Sequence, residues 1–474
     1  MAAPLVFVGL PALLAVAVYW LADRPPRRIP KERLNLWLAL AAAVCAACLM
    51  LLAIAVPLDQ RVLWGRLTIS SSFPILGRTL TFNPADRLSL ALMYGQGALL
   101  FVGAAFAPSG RYFLSAGLAA LGLLAAAMFV QPFIFAPLFL ELAAAVLVPM
   151  LAGESPRQTR GAWRFLVFMT LALPFILLSG WLLEGNAGTE PGTQTLDVAL
   201  TVGVGFAILL AVVPFQSWVP MVAQDAPPLA GAFVLVVMQQ AVVLLLLTFL
   251  GAYPGLGQNP TVYRAFTVMG GGMVLVGGLF AVGQQNLGRT LGYAVLIDIG
   301  AVLLGVGLQS PAGIAAALTT LTLRGMALCL WGIGDAELRR AGGGDDFASL
   351  RGLGRRYPFA SAAAICGLLS LAGFPLTAGF AGRWALLRLL AEIHPTGAIL
   401  LWLAMGSIAL VCIRALAALL AASPGEPAAP AVEATGARLI YSLGVLIVLA
   451  LGAFPQWLLP LVANAAAVYS HSAP

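Results

Sequence analysis

LSLAGFPLTAGFAGRWALL, Leu369 to Leu387, is apolar enough to lie within a bilayer, yet it carries a Gly-Phe-Pro break at Gly373 to Pro375 and a full positive charge at Arg383. A helix broken and charged at membrane depth costs free energy twice over, because freed backbone groups and an ionised side chain find no water there. Such a segment is expected to line an ion path. The rest of the chain fits that setting: of 474 residues, 61% are hydrophobic and 9% charged, against roughly 25% charged in an ordinary soluble domain. The fold class is therefore an all-α polytopic membrane protein.

The formal charge of +7 comes from 25 Lys and Arg against 18 Asp and Glu. Those basic residues sit in short loops between apolar runs, so the charge reads as membrane topology and excludes nucleic acid as a partner. The two histidines, His394 and His471, and the five cysteines are scattered, which leaves no redox centre, zinc site or other cofactor in this chain. Cys45 and Cys48 have metal-like spacing, but they lie inside a continuous apolar helix with no second pair, and packing is the simpler reading. Met1 to Ala22 is apolar from its start with its charges after it, the pattern of a retained membrane helix rather than a signal peptide.

Counting apolar stretches gives about fourteen spans. RPPRRIPKER, Arg24 to Arg33, holds five basic residues and one acid and pins the first loop to the cytoplasm. Arg157, Arg160 and Arg164 fall on the same side if spans alternate, and the acidic EGNAGTEPGTQTLD, Glu184 to Asp197, falls outside. Residues 59–87 are expected to form an external hairpin. The seventh span runs into four prolines, Pro214, Pro220, Pro227 and Pro228, which end one helix and start the next through a short amphipathic connection. Asp335 to Tyr357 reads as a charged cytoplasmic loop and Ser423 to Ala437 as a linker. An even span count places both termini outside, in the inner (plasma) membrane.

Glu141, Asp298, Arg324, Arg383 and Arg414 fall inside apolar spans. Each costs about 2.5–3.5 kcal/mol at the bilayer centre and needs a partner, a wet cavity or a reason. Glu141 is the titratable acid of a hydrated relay, or else one member of a static ion pair. For Asp298, transport and pairing with Arg324 or Arg383 both stand. Arg324 holds a fixed charge, as counter-charge or anchor between helices. Arg414 reads as structural. Gln239 and Gln240 point to different faces of one helix, so at least one should bond to a neighbouring helix or to water. Glycines at Gly270 to Gly272, Gly305 and Gly307 should let helices approach closely.

In order, FNPADRLSL (Phe82 to Leu90), LFLELAAAVLVPML (Leu138 to Leu151), PFQSWVPMVAQDAPPLAGA (Pro214 to Ala232), NLGRTLGYAVLIDIG (Asn286 to Gly300) and the broken segment with Arg383, followed by Arg414, make up a series. With it the chain resembles the large antiporter-like membrane subunits of respiratory complex I, a family shared with subunits of multisubunit sodium/proton antiporters and membrane-bound hydrogenases. The likeness covers about Phe82 to Arg414. It implies two inverted five-helix repeats with broken helices, at residues 108–252 and 265–421, preceded by helices in 1–107 and followed by a last helix in 438–474. It implies a subunit of an NADH:quinone oxidoreductase, assembled with other membrane subunits in the lipid bilayer, that moves protons through a buried charged relay, with the redox chemistry in partner subunits.

The resemblance maps the family's helix-five glutamate onto Glu141 and its helix-twelve lysine onto Arg383. Beside these two, Asp298 and Arg324, read from their place inside apolar spans, are expected relay members, and Gln216, Gln239 and Gln240 a polar path. The resemblance also exposes departures. Where the family has a helix-seven lysine this chain has Leu209, the helix-eight lysine falls on Gln239 or Gln240, and a histidine of the proline-rich link falls on Gln216. Neither Leu nor Gln holds a proton, so the first half-channel is disabled, rerouted through Asp298 and Arg324, or replaced by a structural role. The competing readings are a non-conducting scaffold subunit and a cation/proton antiporter subunit without redox partners.

Overall fold

The computed structural model describes residues 2–24, 30–59, 61–62, 67–75, 77–84, 86–152, 159–185, 194–421, 433–457 and 469. Arg157, half of the first basic loop, most of the acidic outer loop, residues 423–432 of the linker, the end of the last span and His471 lie outside the described residues.

Among the described residues, eleven helices are long and apolar enough to cross a membrane, and three shorter apolar helices, Phe113–Phe129, Asp197–Leu209 and Pro358–Leu371, complete the series. The protein is a helical polytopic membrane protein. In order, the helices are α1 (Ala3–Asp23), α2 (Lys31–Ala55), α3 (Asp86–Ala104), α4 (Phe113–Phe129), α5 (Ala136–Leu151), α6 (Arg160–Gly185), α7 (Gln194–Leu209) and the short α8 (Trp218–Asp225). They continue with α9 (Pro228–Ala252), α10 (Pro260–Val282), α11 (Leu287–Gly307), α12 (Pro311–Gly342), α13 (Pro358–Leu371), α14 (Phe380–Ile393), α15 (Pro395–Leu420) and α16 (Thr435–Ala453).

Proline starts many of these helices. Pro228, Pro260, Pro311, Pro358 and Pro395 stand at the first helical position, where a missing N–H costs nothing. Asn259, Asn286 and Ser310 cap α10, α11 and α12 by accepting from Thr261, Arg289 and Gly313 N–H groups. The expected hairpin is present: Ser72–Ile75 pairs antiparallel with Arg78–Thr81, and the latter also pairs with Val130–Gln131.

Burial sorts the helices into centre and rim. In α9 and α11, 94% and 89% of the most apolar window is buried, against 22% in α1 and 11% in α16. The rim helices show Leu13, Val268, Leu279 and Leu439 to the outside, as lipid-facing positions should. At the centre, small residues set the spacing. A Cβ on Gly300 would fall 2.8 Å from the Gly270 carbonyl oxygen, and one on Gly305 would fall 2.9 Å from that of Gly313. Gly271 and Gly272 face open space instead, so only part of that glycine run serves packing.

The broken segment is broken where the sequence places it. α13 ends at Leu371 and α14 begins at Phe380, with Gly373 at φ +75° and Leu376 at φ +66° between them. A second break separates α7 from α8, turning at Ala211 with φ +59°. One boundary differs from expectation: α12 runs on to Gly342, so Asp335 to Arg340 is helix and not loop. An i,i+4 ion pair between Asp335 and Arg339 supports those last turns. The helix then stops at Gly343, left-handed at φ +74°, whose N–H returns to the Arg339 carbonyl.

Gly373→Ala is expected to destabilise the protein by about 1–2 kcal/mol for the left-handed backbone alone, and by more because a Cβ there would run into the Arg383 side chain, 2.9 Å from its Cβ. A lowered midpoint of thermal unfolding checks it; an unchanged midpoint would mean that the break relaxes freely.

Candidate functional site

Three charges predicted from separate spans meet at the centre of the molecule. Asp298 in α11 receives Arg383 of α14 on one carboxylate oxygen (Nη2 to Oδ1, 2.6 Å) and Arg324 of α12 on the other (Nε to Oδ2, 3.3 Å). All three are buried, Asp298 and Arg324 at 2% exposure and Arg383 at 1%. The balance matters more than the contacts. Two fixed guanidinium charges face one carboxylate, so the ionised cluster keeps a net positive charge in a place without access to bulk water.

Local structure explains why each arginine holds its place. The last carbonyls of a helix lack intrahelical partners, and Arg383, in the first turn of α14, reaches back across the break to donate to the Leu371 carbonyl that ends α13 (3.3 Å). A positive charge there also suits the negative end of the helix dipole. Arg324 is tied to α9. Its Nη2 donates to Gln239 Oε1 (2.9 Å) and to the Leu235 carbonyl. Leu235 lies in a π-helical turn, Val234–Met238, set within α9; such turns are uncommon and recur at functional sites.

Several polar atoms of the cluster remain without a hydrogen-bond partner among the described residues: Nη1 of both arginines, Nε2 of Gln239, and Arg324 Nε and Asp298 Oδ2, which meet as an ion pair but not as a hydrogen bond; both side-chain polar atoms of the neighbouring Gln240 are likewise unpaired. Gln239 therefore joins the cluster as one of the two amides had to. Gln240, buried beside it in sequence, does not reach it. Gln216 sits in the turn before α8 with its Oε1 unsatisfied and makes no bond to the cluster.

Glu141 is placed apart. Its Oε1 accepts from Thr170 Oγ1 of α6 (2.6 Å), and its Oε2 is buried without a partner. A cavity of about 10 Å³ adjoins it, walled by Leu140, Met169, Ile176 and Leu209 among others, which is about the room one water molecule needs. Leu209, the position that the resemblance maps onto a lysine, thus shares a cavity with the acid, as that mapping requires of a partner. Arg414 donates to the Val282 carbonyl at the end of α10 (2.6 Å) and lies over the Phe347 ring, an anchor between helices.

One cluster escaped the sequence reading. Arg339 pairs with Asp335 (2.6 Å) and Asp345 (2.8 Å) and donates to the carbonyls of Ala223, Gln224 and Ala226 at the C-terminal end of α8. It fastens the short helix after the first break to α12. Nearby, burial lifts the Asp225 carboxyl above its ordinary range, opposed by the Gly161 N–H it accepts and by Arg289, Arg160 and Arg339. With Asp335 and Arg339 read as loop, the one signal for this clamp, their i,i+4 spacing, was missed.

A family model described as NADH:quinone oxidoreductase/Mrp antiporter, TM, matches residues 138–410, more than half of the chain. The chain is 34% identical over 210 residues to NADH-quinone oxidoreductase subunit N 2 of Sorangium cellulosum, covering 43% of this chain and 41% of that one. It is 26% identical over 383 residues to NADH-quinone oxidoreductase subunit N of Thioalkalivibrio sulfidiphilus, covering 75% and 78%. Its fold is similar to that of a chain of respiratory complex I from Thermus thermophilus with bound NADH, with a TM-score of 0.78 and 22% identity over 98% of this chain and 100% of that one.

Proposed function

The chain belongs to the NADH:quinone oxidoreductase/Mrp antiporter transmembrane family, and on that premise we propose that it is a membrane-arm subunit of a complex I-like NADH:quinone oxidoreductase. It translocates protons through a buried charged relay, coupled to redox chemistry carried out in partner subunits. The observation that carries this reading is the central chain Gln239, Arg324, Asp298, Arg383, which ends on the broken backbone at Leu371. A purely structural core has no need of a net charge there.

Within the relay, Arg324 and Arg383 supply fixed field, and Asp298 is the member that exchanges a proton. Protonating Asp298 would leave two guanidiniums facing one another around a neutral acid. At an effective dielectric of 20, a pair of unit charges 4 Å apart interacts by about 4 kcal/mol, so proton arrival and separation of the arginines are coupled. Glu141 is the outer proton-exchanging acid, with room for a water beside its free oxygen. Gln216 and Gln240, with side-chain polar atoms left unpaired, are the candidates for a polar path joining the two acids. The two repeats, 108–252 and 265–421, would each carry one of these acids.

The chain would sit among other membrane subunits in the inner (plasma) membrane. The basic Arg24 to Arg33 loop supports an outer N-terminus, and an even number of spans would bring the C-terminus to the same face. No cofactor is assigned to it.

In proteoliposomes of the purified complex, Glu141→Gln and Asp298→Asn are each expected to lower proton pumping to roughly half or less while quinone reduction by the partners persists, because each removes a proton-exchanging group from the path. Pumping untouched by both substitutions would overturn the reading. It would favour the second one, a scaffold subunit, for which the apolar Leu209 beside Glu141 speaks. Sodium-coupled proton exchange in the absence of an electron donor would instead favour an antiporter subunit.

A further inference from the structure

Away from the relay, the first four helices enclose two adjoining spaces that neither the charge cluster nor Glu141 explains. A cavity of about 660 Å³ lies where α1 and α3 end and α2 and α4 begin, lined by Asp23, Lys31, Asn35, Ser109 and Arg111 among others. A second space of about 690 Å³ runs from it along α1 and α4, lined almost wholly by apolar side chains from Val8 to Val16 and from Ala116 to Leu123, with Val146 and Pro149 of α5 completing its wall. Tyr19, Tyr112 and Ser115 wall both. A polar chamber therefore opens into an apolar groove through a gate of amphipathic residues.

We propose that these spaces form one site for an anionic diacyl phospholipid, with its phosphate over Lys31 and Arg111 and one acyl chain in the α1/α4 groove. The charge is right: Lys31 is exposed and makes no ion pair with a described residue, and Arg111, paired with Asp23 at 2.8 Å, stays 68% exposed and keeps donors to spare. Basic pockets between membrane helices on the cytoplasmic side suit anionic head groups.

The depth is right as well. From Val8 to Tyr19 a helix rises about 16 Å at 1.5 Å per residue, roughly half of the ~30 Å hydrocarbon core. That is one leaflet, the reach of a single lipid tail, whereas a neighbouring membrane helix would need a groove of full depth. Tyr19 and Tyr112 stack with centroids 6.2 Å apart at the junction, and the Arg111 guanidinium lies 5.4 Å over the Tyr112 ring. Tyrosines gather at such a head-group boundary because one end of the ring is apolar and the other wet.

The test uses the full chain in its complex, reconstituted in nanodiscs of phosphatidylglycerol and phosphatidylcholine. A photoactivatable phosphatidylglycerol with its label on the acyl chain is expected to cross-link to α1, α4 and the Val146 to Pro149 turn of α5, and the detergent-extracted complex to retain phosphatidylglycerol over phosphatidylcholine by native mass spectrometry. Lys31→Gln with Arg111→Gln should cut that preference roughly tenfold, and Ala119→Phe, which fills the groove, should remove retention of either lipid. If Ala119→Phe does not fold, Ala12→Phe on the exposed rim of the groove serves the same purpose. Labels that map elsewhere, retention without preference, or preference unchanged in the double variant would each overturn the assignment.

Discussion

Asp298→Asn is expected to destabilise the protein by about 3–5 kcal/mol, the penalty for leaving buried charge unpaired. The native cluster holds two guanidiniums against one carboxylate; the substitution leaves both positive charges facing each other at sites under 3% exposed. A simple loss of contacts and a loss of charge balance predict different second steps. If contacts govern, adding Arg383→Met, which also strips the Leu371 carbonyl of its donor, should cost more. If charge governs, the double variant returns the cluster to the single net positive charge of the native protein, and part of the loss is recovered. We expect recovery. Equilibrium unfolding in mixed micelles, compared across the wild type, both single variants and the double, gives the coupling directly; a double variant less stable than Asp298→Asn would refute the charge argument.

The same cluster marks the reach of sequence reasoning. Asp298, Arg324 and Arg383 were visible because ionisable residues inside apolar runs are expensive and therefore rare, and the break at Gly373 was visible because Gly-Phe-Pro cannot continue a helix. Pairing of Asp298 with one of the arginines stood as an alternative, but that both engage it at once was not legible, since α11, α12 and α14 meet only in three dimensions. The π-helical turn that presents the Leu235 carbonyl to Arg324 lies in a run of apolar residues, VLVVM, that carries no sign of it. Nor does Ala211 announce a left-handed backbone, so the first break had to be inferred from the prolines that follow it. The Arg339 clamp was hidden for another reason. A polar helix extension and a charged loop have the same composition, and only the i,i+4 spacing of Asp335 and Arg339 distinguished them. Glu141 was singled out by composition, but Leu209 is an unremarkable leucine at the end of an apolar helix. It gained meaning from resemblance alone, and the cavity it shares with Glu141 gives that resemblance a physical counterpart.

That shared cavity supports the second large prediction, at Leu209. The side chain is 3% exposed, so a lysine in its place would bury an ammonium, which stays charged only if an opposite charge lies within reach. Glu141 is the acid available, with one oxygen held by Thr170 and the other free. Leu209→Lys in the native background should therefore cost little more than the packing it disturbs. In a Glu141→Gln background the same substitution should cost about 3–5 kcal/mol, the range for a buried charge without its partner. The difference between the two backgrounds is the interaction energy, read by the same unfolding equilibria. On the proposed reading it has a functional face: a lysine beside Glu141 would pair with the acid that exchanges the proton, so proton pumping should respond to Leu209→Lys when Glu141 is present and ignore it when residue 141 is glutamine. Additive stabilities would mean that the two side chains do not meet. Strong coupling with unchanged pumping would place Glu141 in an ion-pairing role and leave transport to the cluster around Asp298.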